Sequence, residues 1–243
     1  MKLQQHEQRC NRPIYIDIPL DEYSYETTLR MTSSSKLIPF LLVCWLILCA
    51  AGFWILWVYS NTPGTIGPPN LTPVFQTHLR VDTEKPTLVL FAHPRCPCTR
   101  ATMSELERLQ ADFKDQVSTV IVFYEPVDSG PEWHDTDLWR RARSMHQTTT
   151  FSDIGGELAI TTGATTSGQI GLMDADGNLE FWGGITPSRG HEGQSTGGIA
   201  IRALLRGHEP GHRRTSVFGC SLRANPHDME CLSEEVCSAL TDP

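Results

Sequence analysis

No charged residue falls between Leu37 and Tyr59, an absence that lasts for 23 consecutive positions. As a helix rising about 1.5 Å per residue, the run reaches roughly 34 Å, enough to cross a hydrocarbon core of roughly 30 Å. The expectation is a membrane-embedded protein rather than a wholly soluble enzyme. The run also lacks what a cleaved signal peptide needs. It begins 36 residues in, exceeds the ~7–15 residues of a secretory apolar region, and ends on Phe53-Trp54-Ile55-Leu56-Trp57 with no small-x-small cleavage site. Lys and Arg are missing again from Ser60 to Leu79, while Arg30 and Lys36 precede the span. The asymmetry predicts a single-pass protein with a cytoplasmic N-terminus and an extracytoplasmic remainder, periplasmic if the source is bacterial.

Positive charge is scarce overall: 20 Lys and Arg stand against 28 Asp and Glu, a net charge of −8. Residues 1–36 hold five of each and cancel, so the rest carries 15 − 23 = −8. Such a surface argues against nucleic acid and against docking on anionic lipid head groups. Proteins or small molecules are the expected partners.

The eight cysteines sort by side of the span. Cys10 precedes it, Cys44 and Cys49 lie within it, and Cys96, Cys98, Cys220, Cys231 and Cys237 follow, in a compartment where disulfides persist. The number outside is odd, so at least one thiol stays free, pairs between molecules, or serves a metal or a transient bond.

Five regions are expected. Residues 1–36 form a mostly disordered tail, and 37–59 the transmembrane helix. Residues 60–80 begin with a Pro/Gly-rich extended spacer (SNTPGTIGPPNLTP), 81–222 make one α/β domain, and 223–243 a tail with two cysteines. Thr87-Leu88-Val89-Leu90-Phe91-Ala92 reads as a strand buried on both faces. His93-Pro94-Arg95-Cys96-Pro97-Cys98 follows, then a helix from Thr99 to about Phe113 with Met103, Leu106 and Leu109 on one face. A second buried strand spans 117–124 and a second helix 136–145. A hairpin of 169–173 with 179–182 closes at Asp176-Gly177, and a last helix runs over 198–205. The order is β-α-β-α-β-β-α.

Three stretches carry a resemblance: Phe91-Ala92-His93-Pro94-Arg95-Cys96-Pro97-Cys98-Thr99-Arg100-Ala101, Gly163 through Gln169, and Gly183-Gly184-Ile185-Thr186-Pro187-Ser188-Arg189-Gly190-His191. Over about residues 80–222 the chain resembles the thioredoxin-fold proteins, and more closely the RedB-like subgroup of membrane-anchored thioredoxin-like proteins. The resemblance implies a thioredoxin-like α/β fold, a central mixed sheet flanked by helices, preceded here by one transmembrane helix. It departs from the family at three points. The motif is Cys-x-Cys rather than Cys-x-x-Cys, Leu90 stands where many members bury an acid, and Gly168 falls where the family places a cis-proline.

Thiol chemistry concentrates at Cys96-Pro97-Cys98. A thiol at a helix N-terminus has its thiolate favoured by the dipole and by free backbone N–H groups. A disulfide across so small a loop would be strained and easily reduced, which fits an oxidising or isomerising couple better than a strong reductant. Phe91 to Cys96 keeps the spacing of the family that the chain resembles, and the resemblance implies Cys96 as nucleophile, with Cys98 or Cys220 resolving and His93 or Arg95 stabilising the thiolate. The loops bearing Thr166, Ser167, Gly168, Arg189 and His191 are the candidate substrate-binding surface, and Thr186 to Gly198 reads equally as a flexible surface loop. The expected activity is thiol–disulfide exchange on exported protein thiols or disulfides, without a cofactor. Two thiolates also suit Cu(I), so the alternative is a copper-handling module using Cys96 and Cys98, completed by His93, His191 or Cys220. A redox-inactive thioredoxin-fold adaptor is the third reading.

Two further motifs are discounted. His208-Glu209-Pro210-Gly211-His212 matches H-E-x-x-H, but Pro210-Gly211 breaks the helix that zinc chemistry needs. Asp174-Ala175-Asp176-Gly177-Asn178 begins like a calcium loop yet has Ile185 where the closing glutamate belongs. Cys231 and Cys237 are too far apart for a disulfide across a regular helix and would need a turn between them.

Overall fold

A computed structural model describes residues 36–70 and 84–223; Cys10, Cys231, Cys237 and the terminal tails lie outside them. The charge-free run forms helix α1, Leu37–Asn61, with no buried residue and enough length and apolarity to cross a membrane. Its C-terminus is closed by side chains: Asn61 Nδ2 donates to the Trp57 carbonyl (2.8 Å) and Thr62 Oγ1 to that of Val58 (2.7 Å). Val58 is among the last four carbonyls, which a helix end leaves without intrahelical partners.

The α/β domain is built on strand β1, Thr87–Ala92, every residue of which is buried. β1 pairs in parallel with β2 (Ser118–Glu125) and antiparallel with β4 (Gln169–Met173). The five-stranded order is β3-β2-β1-β4-β5, with β3 Thr148–Ile154 parallel to β2, and β5 Leu179–Gly183 antiparallel to β4. The pleat sends alternate residues to opposite faces. Leu88, Leu90 and Ala92 join Met103, Leu106, Ile121, Phe123 and Ile170 in one core, while Val89 and Phe91 join Val120, Val122 and Trp182 in the other.

Helices cover both faces. On the chain between β1 and β2 lies α2, Pro97–Asp112, followed by α3 (Asp137–Ser144), α4 (Glu157–Thr162) and α5 (Thr196–Leu205). α3 and α5 start on hydroxyl caps, Thr136 accepting from the Trp139 N–H (3.3 Å) and Ser195 from the Gly198 N–H (3.1 Å). This central mixed sheet flanked by helices is the expected thioredoxin-like architecture, and the hairpin turn, with the Asp174 carbonyl accepting from the Gly177 N–H, also forms as read.

The structure corrects the reading in three places. β3 and α4 are additional elements. Thr148-Thr149-Thr150-Phe151-Ser152-Asp153 is an edge strand and mostly polar, so it shows no buried-strand signature, and six residues are too few for α4 to show a helical period. α2 begins at Pro97 rather than Thr99, because proline at the first helical position has its φ already set and no N–H to lose. Helix α1 runs two residues into the expected spacer, and residues 62–70, which form no helix or strand, do not stand free of the domain: Gly64 N–H donates to the Val217 carbonyl (2.8 Å) and Gly67 N–H to that of Gly163 (3.0 Å).

Candidate active site

The site lies where β1 ends and α2 begins. Cys96 is the N-cap residue of α2, in an extended conformation, and its carbonyl accepts from the Thr99 N–H (3.2 Å). Its sulfur therefore sits at the positive end of the helix. Cys98, one residue after Pro97, lies within the first helical turn.

The fold brings Cys220 here from the far end of the domain. Its Sγ lies 3.1 Å from Cys96 Sγ, within hydrogen-bond reach, and the Cys220 thiol is the donor once Cys96 is ionised. The sulfurs of Cys96, Cys98 and Cys220 all fall within 4.8 Å of one another. All three are free thiols, Cys96 and Cys98 buried and Cys220 half-buried.

These contacts divide the thiols into unlike roles. The hydrogen bond from Cys220, assisted by Thr99 and opposed by burial, holds Cys96 down to about 4. That hydrogen bond and burial push Cys220 up. Burial, then the neighbouring Cys96 thiolate, raise Cys98, while Arg189 draws it partly back. At neutral pH the site holds one thiolate and two thiols. A charged nucleophile stands next to a protonated thiol that can be activated once that charge is consumed.

Four of the five candidate loop residues, Thr166, Ser167, Gly168 and Arg189, lie around this cluster or beside the Cys220 segment. Ser167 Oγ accepts from the His93 N–H (2.8 Å) and shares a hydrogen bond with Thr99 Oγ1 (2.7 Å). Ser167 N–H donates to the Cys220 carbonyl and Gly168 N–H to that of Phe91, each at 2.8 Å. Gly168 has φ +95°, a left-handed conformation closed to proline, so this position cannot hold the family's cis-proline. Thr166 pairs opposite Ser221 and donates through Oγ1 to the Thr65 carbonyl (2.7 Å). Arg189 reaches the Gly219 carbonyl through Nη1 and the Thr62 carbonyl through Nε (3.0 Å).

Three expected residues take other roles. Arg95 places its guanidinium 4.2 Å from the centre of the Trp133 ring, and the principal groups holding the Cys96 thiolate are Cys220 and Thr99. His93 stacks on Tyr124 and meets Trp133 edge-on, with ring centres 5.7 and 5.6 Å away. Burial is the main cause that lowers its pKa, so it is neutral at pH 7; the cluster of close ligand atoms comprises the three cysteines and does not include it. His191 is exposed, its Nδ1 2.7 Å from the Arg189 carbonyl. The surface loop that carries it is tied down, since Glu105 accepts from the Gly193 N–H (2.6 Å). Thr99 and Gly219 were not anticipated. Their only sequence signals are a hydroxyl one position after Cys98 and a glycine beside Cys220.

No protein-family model and no curated protein matches the chain. Among solved structures it is similar to an uncharacterized conserved protein from Geobacillus kaustophilus, 23% identical with a TM-score of 0.50, covering 68% of this chain and 94% of that one. It is also similar to a hypothetical protein from Sinorhizobium meliloti, 19% identical with a TM-score of 0.48, covering 69% and 97%. A thiol-disulfide oxidoreductase from Bacteroides fragilis matches at 19% identity and a TM-score of 0.35, covering 51% and 88%. The sheet topology with cysteines at the first strand-to-helix turn defines a thioredoxin-like domain.

Proposed function

We propose that this is a membrane-anchored, extracytoplasmic thiol–disulfide oxidoreductase acting on exported protein thiols and disulfides. One observation carries the proposal: a cysteine at the start of a helix, held as a thiolate by a second thiol 3.1 Å away. In this scheme the Cys96 thiolate attacks a substrate disulfide, a second site thiol resolves the mixed disulfide, and an external dithiol or disulfide resets the pair. A thiolate held near 4 favours the reduced form, which makes the couple oxidising, so the same exchanges run more favourably in reverse, from the protein disulfide to substrate thiols. The RedB-like placement and the outward orientation rest on the sequence motifs and on the Arg30/Lys36 asymmetry. Alkaline phosphatase fused after Leu79 should be active, and an inactive fusion beside an active cytoplasmic reporter at the same junction reverses the orientation.

The three sulfurs within 4.8 Å favour a second reading, a Cu(I) site of three thiolates. The discriminating experiment is exchange with glutathione disulfide by the full-length protein. Oxidoreductase chemistry requires that Cys96 become glutathionylated or disulfide-bonded and that Cys96→Ser abolish this. If Cys96 takes up no disulfide, while reduced protein retains one Cu(I) against a competing chelator and each cysteine variant loses it, the copper reading replaces the first.

A further inference from the structure

The backbone around Cys220 lies along the loop Thr165–Ser167. Ser167 N–H donates to the Cys220 carbonyl (2.8 Å), Leu222 N–H donates to the Thr165 carbonyl (3.0 Å), and Thr166 faces Ser221 in an antiparallel bridge. The segment is anchored at both ends by buried Val217 and Leu222. It lies so close that a Cβ on Gly219 would fall 1.8 Å from the Ser167 carbonyl oxygen. The Arg189 guanidinium holds the Gly219 carbonyl, and the Val217 carbonyl accepts from Gly64 N–H. Beneath this segment the nucleophile is closed off, with Cys96 only 3% exposed.

From this arrangement we infer that residues 217–222 form a built-in arm that occupies the peptide-pairing edge at Thr165–Ser167, with Cys220 as the resolving thiol, so that the working disulfide is Cys96–Cys220. The inference rests on the thiol-exchange reading and names its second cysteine. Cys98, in the first turn of α2, also has its sulfur within 4.8 Å of Cys96, but a bond between them would close a small, strained loop across the single residue Pro97. Cys220 comes from a separate extended segment, and its sulfur needs to close by only about 1 Å to reach a bond of about 2.05 Å.

The chemistry balances as two exchanges. A peptide disulfide displaces the arm and is attacked by the Cys96 thiolate; a Cys96–substrate S–S bond forms and the first substrate thiolate leaves with its electron pair. The arm then returns. Cys220 gives its proton to solvent, its thiolate attacks Cys96 Sγ, the Cys96–Cys220 bond forms, and the second substrate thiolate departs and is protonated. The substrate disulfide has gained two electrons, the two protein thiols have lost them, and an external dithiol restores them by the reverse exchange. Return of the arm re-forms its backbone hydrogen bonds, which couples resolution to product release.

The experiment treats full-length protein in detergent with glutathione disulfide and maps the sulfur bonds by mass spectrometry. Wild type and Cys98→Ser should close Cys96–Cys220 and release glutathione. Cys220→Ser should retain glutathione on Cys96 at a level at least about tenfold above Cys98→Ser. A second variant reads the arm itself: Gly219→Ala, with its fold checked by circular dichroism, should raise the limiting rate of Cys96 alkylation at high pH, where the thiol is ionised with or without the Cys220 hydrogen bond, at least about fivefold by uncovering it. A Cys96–Cys98 bond in wild type, with glutathione retained by Cys98→Ser and released by Cys220→Ser, overturns the inference and leaves the exchange reading standing. Unchanged alkylation in a folded Gly219→Ala overturns the covering role of the arm. Absence of glutathione from Cys96 in every variant removes the exchange reading and the inference with it.

Discussion

Two segments approach the nucleophile, and they contribute unequally. The near one, His93–Arg95, precedes Cys96 directly and carries the charge and the imidazole. The far one, made of Ser167 and Cys220, reaches the site only through the fold. The near segment spends its polar groups on an aromatic wall, with Arg95 over Trp133 and His93 against Tyr124. The far segment supplies the thiol that holds Cys96 near 4 and the hydroxyl that fixes the His93 backbone. The difference teaches that reactivity here depends on a hydrogen bond made across the fold more than on charge adjacent in sequence. In a partly buried site a positioned donor counts for more than a solvated cation.

The comparison breaks most severely at Gly168. Replacing it with proline removes the N–H that donates to Phe91 and imposes a φ near −65° where the backbone holds +95°. The far loop could not then keep Ser167 under Cys220. Gly168→Pro should destabilise the domain by about 3 kcal/mol or more, read from urea denaturation. A variant as stable as wild type would show that the loop tolerates the family's proline after all.

Next in size is the thiol itself. With Cys220 donating, the Cys96 thiolate persists until pH falls through about 4, so alkylation corrected for reagent should be flat from pH 9 to pH 5 and fall below that. Cys220→Ala removes the largest stabilising cause and keeps the helix dipole and Thr99. The midpoint should rise above about 6 while staying below the ordinary value of 9.0. The sign is fixed by acid chemistry: losing a donor to the anion favours the protonated form. A midpoint unmoved by Cys220→Ala would transfer the effect to the near segment.

A smaller effect separates the two substrate-loop residues that the sequence placed together. Ser167 is fully buried, and its hydroxyl serves both His93 and Thr99. Ser167→Ala leaves the His93 N–H without its acceptor and should cost about 1–3 kcal/mol in denaturant melts. Exposed His191→Ala should change stability by less than about 0.5 kcal/mol. Equal effects would mean that the His191 loop is as much a part of the site as Ser167.

The legibility of this site followed sequence distance and burial. β1 was readable because a fully buried strand is continuously apolar, and the α2 stripe because Met103, Leu106 and Leu109 recur at helical spacing. β3 was hidden by its threonines, since an edge strand needs only one well-buried side. Cys96 was marked by a motif, but its partner lies 124 residues away and no local pattern encodes that proximity. Arg95 misled because adjacency puts a charge within reach of a sulfur without directing it there, and Trp133 offers the guanidinium a flat, less hydrated surface.

The smallest expected effect is therefore the sharpest test of that contrast. Arg95→Gln removes the charge closest in sequence to the nucleophile while leaving Cys220 and Thr99 in place. The cation–π contact it deletes is exposed and worth about 0.5–1 kcal/mol, so stability should fall by no more than that. The alkylation midpoint of Cys96 should move upward by less than about half a pH unit, because a solvated charge turned onto a neighbouring ring interacts weakly with the sulfur. His93 should shift in the same direction, since Arg95 is among the groups that lower it. A Cys96 midpoint that rises in Arg95→Gln by about two units, as far as it does in Cys220→Ala, would return control of the thiolate to the turn that precedes it.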